Sequence, residues 1–136
     1  MNKLRITIFE DERELWSGEA VPPLEIGRQH EGERAVLEVS DHQAYRRLAI
    51  APISSRSIPR QAIRVESQNR GELRIVNMHK QLSFGIGEIG EMLLPAQVYI
   101  CDQATQIVFP EHRTVQISII DESLHKSQSS MLDNAN

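Results

Sequence analysis

The feature that most restricts the fold is a rhythm of two. In LRITIF, Leu4, Ile6 and Ile8 fall on one side of an extended chain while Arg5 and Thr7 fall on the other. The same alternation returns at Leu48 and Ile50, Ile63 and Val65, Leu73 and Ile75, Val98 and Ile100, Ile107 and Phe109, and Val115, Ile117 and Ile119. Turn signals separate these segments: SGE from Ser17, Pro22-Pro23, QNRG ending at Gly71, and LLPAQ around Pro95. About eleven short strands at a spacing near ten residues predict an all-β chain, an antiparallel β-sandwich in which each strand buries one face and wets the other.

Length admits one such domain. The 136 residues suffice for a single core and not for two comfortable ones. Residues 1–120 read as the sandwich. The remaining 121–136, DESLHKSQSSMLDNAN, lack the alternation and read as a polar tail or interdomain linker. A short helix capped by Asp121, with Leu124, Gln128 and Met131 along one side, is the other reading of that segment.

Several function classes lose support. A net charge of −4 argues against nonspecific nucleic-acid binding. No apolar run approaches the roughly 18 residues that span a bilayer, so no membrane partner is expected. The alternating N-terminus does not read as a signal peptide, and a single cysteine, Cys101, fits a reducing compartment such as the cytoplasm. Cys101 closes the apolar stretch VYIC and reads as an inert core thiol. The five histidines are scattered without metal-ligand spacing, no Gly-x-Ser-x-Gly elbow is present, and no enzyme activity or cofactor is expected. Gly85 to Gly90 matches a dinucleotide-binding glycine pattern by letter. A proline-containing turn and a strand follow it where a phosphate-binding helix should start, so these glycines read as turn and bulge positions. Trp16, the only tryptophan, is expected to pack in the sandwich.

One stretch invites a functional reading. SSRSIPRQAIRVE, Ser54 to Glu66, places Arg56 and Arg60 in a serine-bearing loop that enters a strand. Arg46, Arg47 and Arg64 add to a basic density within an acidic chain. Upstream, PLEIGRQ ends a strand on Gly27-Arg28; downstream, LRIVNM runs into HKQ.

The order of these pieces, from about Leu4 to Ile120, resembles a forkhead-associated (FHA) domain. The resemblance implies an eleven-stranded sandwich whose loops at one end bind phosphothreonine peptides. It aligns the family's Gly-Arg with Gly27-Arg28 and its Ser-Arg-x-His stretch with Pro59-Arg60-Gln61-Ala62. The serine has thus become Pro59 and the histidine Ala62. The turn that carries the family's asparagine corresponds to Asn77-Met78-His79-Lys80-Gln81, of which little is retained, and LLPAQ matches a Leu-x-Pro-Gly-Asp turn. The resemblance implies Arg28 and Arg60 as phosphopeptide ligands, with Gly27, Pro59, Ala62 and Asn77 as motif positions; in place of what the motif has lost, Ser57 (with Ser55 near it) would supply a displaced hydroxyl and Lys80 a cation where the family has a small polar residue. Arg28 could instead pair with Glu25 or Glu31. Proline at 59 removes a hydroxyl and a backbone N–H; a charged hydrogen bond so lost costs ~1.5–3 kcal/mol. Two partners are consistent with this pattern: a phosphorylated protein or peptide, bound weakly or with altered geometry, or an adjacent signalling domain such as a kinase or cyclase, against which a module without phosphate binding would dock.

Overall fold

The computed structural model describes residues 2–33, 36–69, 71–102 and 104–120. Among them no helix occurs. The described residues form twelve strands in two six-stranded sheets, and none of them belongs to a helix long and apolar enough to cross a membrane. The reading of 121–136 as tail, linker or capped helix lies outside the described residues.

The first sheet contains β1 (Lys3–Glu10), β2 (Arg13–Ala20), β8 (Phe84–Ile86), β9 (Glu91–Leu93), β11 (Ala104–Val108) and β12 (Arg113–Ile120), in the order β2-β1-β12-β11-β8-β9. The second contains β3 (Leu24–Arg28), β4 (Val39–Asp41), β5 (Arg46–Ala51), β6 (Ile63–Ser67), β7 (Glu72–Asn77) and β10 (Val98–Asp102), in the order β10-β7-β6-β3-β5-β4. The expected antiparallel sandwich is therefore present, with twelve strands rather than about eleven and with one parallel pair, β3 and β5. That pair arises because β4 lies outside β5 at the sheet edge, so the chain crosses beyond β5 before returning between β4 and β3.

The alternating residues build the core. Leu4, Ile6 and Ile8 of β1 face Leu24, Ile26, Ile63 and Val65 of the other sheet, all fully buried. Each such side chain contributes about 1.5–3 kcal/mol over its exposed state. Trp16 packs partly buried against this core, its ring lying over Gly18, where a Cβ would come within 2.5 Å of it.

Two expectations are corrected. Ser17-Gly18-Glu19 is not a turn but the interior of β2, since Gly18 there makes room for the tryptophan ring. Val98 and Ile100 do not face the core: they are 37% and 44% exposed, while Cys101 between the sheets is buried. In an alternating strand with apolar residues on both faces, periodicity alone does not say which face turns inward. Here the β10–β7 register puts Tyr99 and Cys101 inside.

Both β3 and β5 end at the same end of the sandwich, where β6, β10 and β12 begin and β1, β7, β9 and β11 finish. Residues 29–33 and 36–38 and the connections 52–62, 78–83 and 94–97 therefore share one rim.

Candidate functional site

At that rim lies a groove of about 710 Å³. Its walls carry Arg28 from the end of β3, Arg56 and Arg60 from the β5–β6 connection, and Lys80 from the β7–β8 connection. No carboxylate is among the described residues that line it. Three of the four predicted ligands, Arg28, Arg60 and Lys80, are thus brought together from parts of the chain far apart in sequence. Ser57 is not on the groove: its hydroxyl donates to the Glu111 carboxylate in the β11–β12 connection.

Arg28 owes its freedom to Arg47. Glu25, a possible partner for Arg28, lies directly opposite Arg47 in the parallel β3–β5 pair. The two are 4% and 2% exposed and are joined at 2.7 Å. Arg47 also reaches the Glu33 carboxylate at 3.3 Å and donates to the carbonyl of Arg28. Glu33 in turn accepts the His30 backbone N–H at 2.5 Å, and the Gln29 side chain donates to the Glu33 carbonyl. Residues 28–33 are so knitted down by one buried guanidinium, and the Arg28 side chain is left over. Neither Arg28, Arg56, Arg60 nor Lys80 forms an ion pair among the described residues. The basic density read at Arg46, Arg47 and Arg64 dissolves by contrast, because these pair with Asp41, with Glu25 and Glu33, and with Glu66 respectively.

The loop over the groove is set by a glycine. The Arg28 N–H donates to the Pro59 carbonyl at 2.9 Å, and Ala62 N–H to the Ile26 carbonyl at 3.1 Å. This brings the 59–60 backbone against β3, so that a Cβ on Gly27 would lie 2.0 Å from the Arg60 carbonyl oxygen. Only glycine leaves that space. Ile58 and Ala62, both fully buried, anchor the two sides of the crossing.

The opposite wall is braced by Asn77 and His79. The buried Asn77 amide donates to the carbonyls of Leu82 (2.8 Å) and Leu93 (3.1 Å), and its oxygen accepts the His79 backbone N–H at 2.9 Å. The His79 ring Nδ1 accepts backbone N–H groups from Gln81 and Leu82, each at 3.0 Å. Lys80 stands on the turn these bonds close. Asn77 thus braces the loop from within, its amide engaged by the chain's own backbone.

His30 and His79 also line the groove and were not singled out from sequence, where each is an isolated histidine. Burial, followed by the charge of Arg47, holds the His30 imidazole below its ordinary pKa against the opposing pull of Glu33 and Glu25. His30 Nε2 and Arg28 Nε are buried without a hydrogen-bond partner in the structure. Buried polar atoms without a partner are uncommon in native proteins; a third, Thr105 Oγ1, lies away from the groove. A second depression, of about 520 Å³ on the outer face of the first sheet, has Arg5 tied to Glu19 at 3.0 Å and carries Glu88 in its wall, so it offers no comparable charge. No group of three or more potential metal-binding side chains occurs among the described residues.

A comparison of the chain with protein-family models, with curated proteins and with solved structures found no match.

Proposed function

We propose that this domain is a non-enzymatic recognition module that binds a phosphorylated peptide, of the phosphothreonine type, in the rim groove. The reading is supported above all by four cationic side chains, without an ion pair among the described residues, that converge from the end of β3 and two connections with no carboxylate in the described lining, in a chain whose net charge is −4. Arginine holds phosphate oxygens in a planar fork and lysine adds a point charge, so the set suits a dianion presented on a flexible segment. Pro59 lines the groove where the resembled family has a hydroxyl, which weakens the grip without removing the charge. Binding of a phosphothreonine peptide library to the purified domain tests the reading. Binders should lose at least tenfold in affinity on Arg28→Ala and weaken as salt rises; affinities equal to those of the unphosphorylated peptides would refute it.

A second reading is favoured by the apolar flank. Met92, Leu94, Val98 and Ile100 are exposed on β9, β10 and the turn between them, at the edges of both sheets. Through this flank the domain would dock a partner protein or a neighbouring signalling domain. The pair Val98→Lys and Ile100→Lys should then abolish association with that neighbour, and association unaffected by the pair would count against the reading.

A further inference from the structure

Charge counting says more about the ligand. A phosphoryl monoester carries about 1.5 to 2 negative charges, which two guanidinium groups neutralise. The groove presents four cations. Arg28 and Arg60 flank Pro59, while Arg56 stands earlier in the same connection as Arg60 and Lys80 on the facing wall. One phosphoryl group occupies only a small part of a groove of about 710 Å³. Cations that share one groove without an acid in its described lining repel one another in the free protein, and a single phosphate leaves about half of that charge unanswered. The apolar rim at Met78 and Leu82 suits a peptide flank. A single-stranded nucleic acid fits less well, because no Phe, Tyr or Trp side chain is among the described residues that line the groove to stack bases.

We infer that the preferred occupant is a peptide bearing two phosphoryl groups a few residues apart, the first held at Arg28 and Arg60 and the second reached by Arg56 and Lys80. This rests on the phosphate reading above and narrows it.

Fluorescence anisotropy with synthetic peptides separates the two. The set comprises an unphosphorylated peptide, the same peptide with one phosphothreonine, versions with a second phosphothreonine one to four residues away, and a single-stranded oligonucleotide as competitor. At roughly physiological salt the best doubly phosphorylated peptide should bind at least tenfold tighter than the singly phosphorylated one, with a steeper loss on raising salt. In Arg56→Ala and in Lys80→Ala, each checked for an unchanged melting curve, that gain should shrink to threefold or less. Affinities of single and double peptides within twofold of each other would overturn the inference while leaving phosphate recognition standing. Phosphorylated peptides that bind no better than the unphosphorylated one would overturn both. An oligonucleotide that displaces the double peptide at equal concentration would overturn the choice of a peptide.

Discussion

At the scale of single residues, the two departures from the resembled motif have different consequences. Pro59 is partly exposed and lines the groove, and its carbonyl already serves the Arg28 N–H, so a serine there would add a hydroxyl without disturbing that bond. Pro59→Ser should therefore tighten phosphopeptide binding roughly tenfold, the worth of one charge-assisted hydrogen bond, as titration calorimetry would register. Ala62 is fully buried and packed in the core. Ala62→His forces an imidazole into that space and should cost about 1–3 kcal/mol of stability by overpacking, seen as an earlier urea transition. Gly27 permits no side chain at all. Gly27→Ala should cost at least as much and also displace Arg60, so stability and peptide affinity fall together. If Gly27→Ala kept wild-type affinity, the crossing of 59–60 against β3 would not be what positions Arg60.

At the scale of elements, most strands could be read from the sequence because burial on one face writes a period of two into it. The failures have physical causes. Ser17-Gly18-Glu19 carries turn-type residues, yet Gly18 serves the Trp16 ring inside β2. Val98 and Ile100 are apolar and face outward on an edge strand. The rim cations Arg28, Arg60 and Lys80 could be found through the motif order; Ser57 could not be placed, because its partner Glu111 lies 54 residues further on. Arg47 was hidden among its basic neighbours. Its signal was a charged residue within the apolar run RRLAIA matched by Glu25 within PLEIG, and that match becomes visible only once β3 and β5 are known to be parallel. Removing one partner of a buried pair leaves the other charged and unsolvated, at about 3–5 kcal/mol. Arg47→Ala should lower the melting temperature by on the order of 10–20 °C and loosen residues 28–33, whereas Arg28→Ala should leave it nearly unchanged. On the other wall, His79→Ala removes two acceptor bonds from an exposed turn. Phosphopeptide affinity should drop roughly three- to tenfold there, with little change in melting, since water replaces what the solvent-facing N–H groups lose.

At the scale of the whole molecule, the rim and the flank draw on different parts of one stability distribution. The central strands β1, β12, β3 and β6 each have two hydrogen-bonded neighbours and fully buried side chains, while β10 is held by β7 alone and exposes Val98 and Ile100. Local opening should therefore start at the sheet edges, β2, β4, β9 and β10, and at β10 it can be followed. Cys101 reports on it. The thiol is 8% exposed, and burial, with the Asp102 charge adding to it, pushes its pKa from 9.0 up to about 11. In the folded state the proton is held more tightly than in the unfolded chain. This contribution to stability is whole below pH 9 and is lost as pH rises through 9 towards 11. Thermal midpoints should accordingly fall over that interval, and the Cys101→Ala variant should show a shallower fall. At pH 8 the folded thiol is protonated, and a thiol-reactive probe modifies it only after an opening. If β10 peels away by itself, the labelling rate at low urea will not depend on urea concentration and will rise only where the sandwich unfolds as a unit. A rate that climbs with urea from the outset, with the slope of global unfolding, would mean that β10 is as firmly held as the centre. The edge would then be too rigid to accept a partner by opening, and the docking reading would have to rest on the exposed side chains of Val98 and Ile100 alone.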